Sequence, residues 1–241
     1  MDAFIYTAMS GADRALRGLQ VRANNLANTN TGGFRADVAT SESMAVDGYG
    51  YDSRHLATLG SGGLDSTPGK LTETGRPLDV AIQGAGYFAV ESGDGPAYTR
   101  AGSFTVTGDG ALMLGARAVL GEGGPIMLPP NHGVTVGQDG TISIVPEGSN
   151  ETQTVDRLML VNPDPTDLIK NEAGLIVSRS GTSFEQDDSV LVLGAHLESS
   201  NVSAVEEMMQ TMSLTRSFEI QMRLFKVADE MADAGNRLIR S

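Results

Sequence analysis

Gly84-Ala85-Gly86-Tyr87-Phe88-Ala89 follows an apolar run and matches the GxGxxA fingerprint of dinucleotide sites. That chemistry needs a helix directly after the glycines, so that its N-terminus faces the pyrophosphate. Here Tyr87-Phe88-Ala89-Val90-Glu91-Ser92 follows, which reads as a strand, so the glycines are read as a turn between antiparallel strands. The Asp-Gly pairs at Asp109-Gly110 and Asp139-Gly140 lack the D-x-D-x-D-G array and closing Glu of a calcium loop and are read as turns. Asp187-Asp188 offers adjacent carboxylates, but acids in tandem before a strand read as a solvated turn. His55, His132 and His196 stand alone, with no paired-ligand spacing. The chain has no cysteine, which excludes disulfides, thiolate metal sites and thiol nucleophiles. No GxSxG elbow is present, although spacing alone does not decide whether a triad assembles in space. No catalytic, cofactor-binding or metal-ligating residue is therefore assigned. The expectation is a protein that is not an enzyme, with no cofactor and no small-molecule substrate.

With chemistry set aside, the elements carry the information. The 241 residues have a formal net charge of −13, which argues against a nucleic-acid partner, and are 40% hydrophobic, enough for a core. The charge is unevenly placed: 1–35 carries +2, 199–241 carries −1, and the middle holds the rest. All nine prolines lie between Pro68 and Pro165, and 25 of the 30 glycines lie between 36 and 198. Two nearly neutral, proline-free ends thus flank an acidic centre punctuated by turn residues.

At the first end, Ile5, Met9, Ala12, Leu16, Leu19, Ala23 and Leu26 alternate steps of four and three, a coiled-coil-type seam. The spacing predicts a helix from Asp2 to Leu26, ended by Asn28, Asn30, Gly32 and Gly33. Frequent charges and the lack of an apolar core segment argue against a cleaved signal peptide. At the other end, Ser203 and Glu206 form a capping-box pattern. Val205, Met209, Met212, Arg216, Ile220, Leu224, Val227, Met231, Ala234 and Leu238 then hold helical spacing, with one extra four-residue step at Arg216. A second apolar face through Met208, Leu214, Phe218, Met222 and Phe225 implies several neighbouring helices rather than one. Terminal helices from other copies of the chain are the expected source.

The centre reads as β. Strands are expected at 78–82, 87–90, 103–106, 111–114, 134–136, 141–145, 158–161, 175–177 and 190–193, with hairpins at the two Asp-Gly turns. The expected fold is α+β: a central antiparallel β-rich domain flanked by long terminal helices that form a coiled-coil-like axial domain. Its parts are an N-terminal helix and turn (1–35), an extended Gly/Ser/Thr-rich connector (36–75), the β-rich domain (76–198) and the C-terminal helix (199–241).

Ala23-Asn24-Asn25-Leu26-Ala27-Asn28-Thr29-Asn30-Thr31-Gly32-Gly33-Phe34-Arg35 resembles the N-terminal signature of the flagellar rod and hook proteins. Leu197-Glu198-Ser199-Ser200-Asn201-Val202, Glu206-Glu207-Met208 and Arg216-Ser217-Phe218-Glu219 resemble the C-terminal signature of the same family. Leu78-Asp79-Val80-Ala81-Ile82-Gln83-Gly84 and Tyr98-Thr99-Arg100-Ala101-Gly102-Ser103-Phe104 fit its centre, so the resemblance spans the chain. Asn30 and Arg35 are read as ordinary variations within the signature. Ile5-Tyr6-Thr7-Ala8-Met9, Thr67-Pro68-Gly69-Lys70 and Phe218-Glu219-Ile220-Gln221-Met222 look most like the proximal rod members, with the distal rod members as the alternative. A secreted β binding module on a coiled-coil stalk is the alternative from another class.

The resemblance implies a structural, non-catalytic component of the bacterial flagellar basal-body rod that helps transmit torque across the periplasm. It implies export by the flagellar export apparatus without a cleaved signal peptide, and partners that are copies of itself and other proximal and distal rod proteins. The expected subunit-interface residues are Ile5, Met9, Leu16, Leu19, Asn24, Asn25, Leu26 and Asn28 from the first helix and its end. From the second they are Met209, Met212, Phe218, Ile220, Leu224, Val227 and Met231. Phe34 is expected to anchor the connector. Helices of this length are marginal alone in water, so the ends are expected to order on assembly.

Overall fold

The computed structural model describes residues 2–45, 55–60, 62–93, 95–148, 151–171 and 173–240, without the side chains of 2–4, 59, 236 and 238–240. The side chain of Leu238, placed on the C-terminal seam by its spacing, lies outside the described residues. The chain forms two compact units. A helical unit comprises Met1–Ala27, Asp37–Gly63 and Ser203–Ser241, and a β unit comprises 28–36 and Leu64–Val202.

In the helical unit, helix α1 spans Asp2–Ala27 and helix α2 spans Ala204–Arg240. At about 1.5 Å per residue, the 37 residues of α2 run roughly 55 Å. The carbonyl of Ser203 accepts the Glu207 N–H at 3.0 Å, and Glu206 and Glu207 put negative charge in the first turn, where the helix dipole favours it. The two helices pack on each other antiparallel, with Arg22 of α1 beside Glu207 and Gly11 beside Gln221. A hairpin of Ser41–Ala45 and His55–Leu59 completes the unit, with His55–Leu59 against α1 and the Ala57 N–H reaching Ser10 Oγ at 3.4 Å.

That hairpin corrects the expected connector. Residues 36–75 are not one extended link: they contain the hairpin and the strand Leu71–Glu73, and they divide between the two units. The physical reason is composition. Every residue of Ser41–Ala45 is exposed, so no burial alternation marks the strand, and backbone pairing alone makes it.

The β unit is antiparallel throughout its described ladders. Its largest sheet has the order Leu160–Val161, Tyr87–Ser92, Gly95–Thr99, Ile176–Ser178, Leu168–Lys170. A three-stranded sheet pairs Asn131–Val136 with Thr141–Pro146 across the Asp139-Gly140 turn and adds Gln153–Arg157. Gly140, at φ +84, supplies the left-handed residue that the turn needs. Two further ladders tie in the C-terminal end of the unit: Leu191–Gly194 pairs with Val80–Gln83, and His196–Glu198 pairs with Leu71–Glu73. The core gathers Val80, Ile82, Ile144, Leu158 and Val192 around Phe88 and Phe104, whose rings meet edge to face at 5.2 Å. Strands Gly95–Thr99 and Gln153–Arg157 are absent from the expected set. The first opens with Gly95-Pro96 and the second is mostly polar, so neither shows the usual strand pattern.

Candidate assembly interface

On α1, the contact with α2 is built from small and polar residues. Ala8, Gly11, Ala15, Gly18, Arg22 and Asn25 repeat at steps of three and four along α1 and are its buried or half-buried face. Across from them, a Cβ added at Gly18 would lie 3.2 Å from Leu214 Cδ1, and one added at Gly11 would lie 2.9 Å from the Gln221 carboxamide. Glycine here lets the helices approach closely. Near Asn25 the seam ends in a polar latch. Glu207 Oε1 accepts from Arg22 Nη1 and from Asn25 Nδ2, both at 3.1 Å. Asn25 also donates to the Asp37 carbonyl at 3.0 Å and accepts the Asp37 N–H at 2.9 Å.

This seam is offset by one residue from the one that the large apolar residues trace. Met9, Leu16, Met209, Met212, Ile220, Leu224, Val227 and Met231 are all exposed, Met9 at 62% and Met231 at 62%, and Tyr6, Val205, Met208, Met222 and Phe225 join them. Ile5, Leu19 and Leu26 are half-buried. Eight of the expected interface residues therefore form outward-facing apolar stripes on the two terminal helices.

Four expected residues are placed differently. Asn25 is fully buried and its amide is committed to Asp37 and Glu207 within the chain, which leaves it nothing to offer a neighbour. Asn28, half-buried, accepts the Thr31 hydroxyl at 3.0 Å and its carbonyl accepts the Thr31 N–H at 3.1 Å, the geometry of a helix-ending turn. Phe218 is half-buried and keeps the spacing of the inner face, four residues after Leu214 and three before Gln221. Asn24 is exposed and donates to Asp37 Oδ2 at 3.3 Å.

The β unit holds a second cluster, one that no local sequence pattern marks. Arg35, an ordinary variation by its place in the signature, is 1% exposed. Its Nη2 donates to Glu198 Oε1 at 2.7 Å, and Arg100 Nη1 donates to Glu198 Oε2 at 3.2 Å. Arg100 also donates to the carbonyls of Ile82 and Gly84, and its guanidinium lies 5.4 Å over the Tyr87 ring. Burial pushes the Tyr87 hydroxyl pKa up and the Arg100 guanidinium pKa down, the latter against the pull of Glu198. Lys170 Nζ sits 3.8 Å over the Phe34 ring and donates to the Arg35 carbonyl at 2.7 Å. Gly33, at φ +68, donates its N–H to the Glu198 carbonyl at 2.8 Å, and a Cβ there would fall 2.3 Å from Arg100 backbone. Asn201 donates to the carbonyls of Asp65 and Thr67 at 3.1 Å each, and accepts the Ala36 N–H at 2.8 Å. The one signal in the sequence is charge, with Arg35 and Glu198 the sole charged residues of the stretches Ala23–Arg35 and Leu197–Val202.

The residues whose types suggest chemistry take structural roles. Gly84 and Gly86 have positive φ and join strand Val80–Gln83 to strand Tyr87–Ser92, with no helix following. Asp187 accepts the Ser189 N–H at 2.9 Å in a turn, and Asp188 pairs with Arg157 at 2.7 Å. Among the described residues no cluster of His, Asp and Glu is arranged to hold a metal. No helix among them is long and apolar enough to cross a membrane.

Comparison with known proteins accounts for the pairing of the two ends. Residues 5–35 match a family described as flagella basal body rod protein, and 81–144 match the flagellar hook protein FlgE/F/G D1 domain. Residues 194–238 match the flagellar basal body rod FlgEFG protein C-terminal. The flagellar basal-body rod protein FlgF of Salmonella typhimurium is 38% identical over 248 residues, covering 99% of each chain. FlgF of Escherichia coli K12 is also 38% identical over 248 residues, with the same coverage. The flagellar basal-body rod protein FlgG of Bacillus subtilis is 31% identical over 252 residues, covering 94% of this chain and 95% of its own.

Proposed function

The chain belongs to the flagellar basal-body rod protein family, is a structural rod protein and is most like FlgF within the family, and from that premise we propose that it joins the proximal rod through the outer stripes of α1 and α2. One observation carries the reading. Large apolar side chains on both terminal helices face outward, while the contact between those helices is already made by the small residues of α1 against Leu214 and Gln221 of α2. An outward methionine or leucine that becomes fully buried contributes about 1 to 3 kcal/mol. Eight such side chains favour association strongly, in the manner of exposed apolar patches that mark interfaces.

In this reading Met9, Leu16, Met209, Met212, Ile220, Leu224, Val227 and Met231 pack against neighbouring subunits in a coiled-coil-like axial layer. Those neighbours are copies of this chain and other rod proteins. Ile5, Leu19 and Leu26 border the stripe. The chain reaches the periplasmic rod through the flagellar export apparatus and, once assembled, passes torque along it. The terminal helices gain further order from these neighbours, because tertiary packing supplies most of a helix's stability and the α1–α2 contact leaves the outer stripes uncovered.

The test replaces Met209 and Met212 together with glutamate in the full chain. The variant is expected to fold as the parent does and to leave its strain without a complete rod and non-motile. Normal swimming of that strain would overturn the reading. Circular dichroism tests the ordering step: a gain in helicity on assembly is expected, and full helicity in the isolated monomer would count against it.

A further inference from the structure

Glu198 has a fully buried side chain and gathers segments far apart in sequence. Its carboxylate accepts from Arg35, 163 positions earlier, from the Gly69 N–H, 129 positions earlier, and from Arg100, 98 positions earlier. Its carbonyl accepts the Gly33 N–H. Two guanidiniums, 1% and 3% exposed as residues, thus share one carboxylate. Arg35 Nε and Nη1 and Arg100 Nε find no acceptor of their own, so Glu198 is the main compensation for both cations. A buried cation without its counter-charge opposes burial of everything around it. The strands that bring Glu198 in are also structural: Leu191–Gly194 covers Val80–Gln83 of the core, and His196–Glu198 pairs with Leu71–Glu73.

We propose that Glu198 is a completion check built into the β unit, which closes only when the C-terminal signature reaches Arg35 and Arg100. Before that, two arginines would have to enter the interior unpaired, and a chain that ends before residue 190 also lacks Val190 and Val192 from the core and the partner of the Val80–Gln83 strand. A chain that ends before residue 198 keeps its β unit open. Since α2 begins at Ala204, an open β unit marks a chain that lacks the second assembly helix. That benefit rests on the proposed assembly; the closure itself does not, and it is measured on the unassembled chain, so the two fail separately.

The experiment is pulsed hydrogen exchange during refolding of the full chain from urea. Gly33 and Gly69 report the Glu198 contacts, and Ala89, whose N–H bonds to the Met159 carbonyl, reports the large sheet. All three amides are expected to gain protection with time constants within twofold of one another. Protection of Ala89 more than tenfold earlier than Gly33 and Gly69 would overturn the proposal. In the native Glu198→Gln chain, protection is expected to fall at least tenfold at all three sites, and a loss confined to Gly33 and Gly69 would overturn it. Should that variant not fold, Arg35→Met, Arg100→Met and Glu198→Met combined removes the charge requirement. Sheet protection, read at Ala89, is then expected at least tenfold ahead of Gly33, whose acceptor is the backbone carbonyl of residue 198, and continued coincidence of the two would overturn the proposal.

Discussion

The two units are organised in opposite senses. The β unit buries its large side chains, with Phe88, Ile82, Ile144 and Leu158 at 1% exposure or less. The helical unit buries Ala8, Ala15, Asn25, Glu207 and Ala228 and leaves its described methionines outside. Each unit brings a segment of the N-terminal signature against a segment of the C-terminal one: Asn25 with Glu207 in the first, Arg35 with Glu198 in the second. The β unit is thus finished as a folded object, whereas the helical unit has an inner seam that positions its helices and an outer surface that still lacks partners. Signature residues of the buried kind set geometry, and in the proposed assembly the exposed apolar ones supply the driving force for association.

Truncating one large side chain in each unit puts this contrast at greatest risk. Phe88→Ala is expected to destabilise the β unit by about 3–5 kcal/mol, because the ring fills the core beside Phe104. Met212→Ala, at an outward position, is expected to change stability by no more than about 0.5 kcal/mol. Urea unfolding, followed by the amide NMR signal of Ala89 for the β unit and by helical circular dichroism for the other, checks both. Equal losses would mean that the stripe is packed in the monomer.

One buried carboxylate from each unit extends the contrast to charge. Glu198→Ala leaves Arg35 and Arg100 without their counter-charge and is expected to cost about 3–5 kcal/mol. Glu207→Ala is expected to cost about 1–3 kcal/mol, since the Arg22 side chain is 26% exposed and water takes over part of the lost contact. The ratio of the two urea midpoint shifts is the readout.

Much of this is legible in the sequence. Large apolar spacing places α1 to within one residue at its end, and the Ser203 cap with proline-free periodicity places α2 over 204–240. Asp109-Gly110 and Asp139-Gly140 locate hairpins because the left-handed glycine has a sequence signature. What stays hidden has a common cause. The inner seam is made of Ala8, Gly11, Ala15 and Gly18, which carry little hydrophobic weight, so the louder stripe of Met9, Leu16 and Leu19 stands in its place. The strand Ser41–Ala45 has no buried face to produce alternation. The Arg35–Glu198–Arg100 cluster joins positions 163 and 98 residues apart, and no local pattern announces such a meeting.

Acid separates the surface of the β unit from its interior. Asp139 is held below the usual carboxylate range by the Thr141 hydroxyl and N–H, Asp164 by those of Thr166, Asp167 by the Ser178 hydroxyl and Asp187 by Ser189. Each folded-state value is depressed, so the stabilisation is present above the unfolded aspartate value of about 3.9 and is lost as pH falls through the lower folded value. The urea midpoint of the β unit is expected to be flat above about pH 5 and to decline below about pH 4. Asp167→Asn should make that decline shallower, and an unchanged slope would remove Asp167 from the account.

The slightest change is expected at a position where the β unit accepts strain to present Glu198. Ala195, at φ +57, is the one non-glycine residue with positive φ among the described residues, and it turns the chain from Leu191–Gly194 into His196–Glu198. Its carbonyl accepts the N–H groups of Thr74 at 2.8 Å and Gly75 at 3.3 Å, so neighbouring backbone holds the conformation in place. An alanine in the left-handed region costs about 1–2 kcal/mol. Glycine removes that cost but adds about 0.5–1 kcal/mol of unfolded-state entropy, so Ala195→Gly should stabilise the β unit by no more than about 1 kcal/mol. A clear loss of stability in urea unfolding would show that the Ala195 methyl group contributes packing that outweighs the strain. A small gain would show that the bend delivering Glu198 is imposed by the ladders on either side of it, which is the order of control that a closure depending on Glu198 requires.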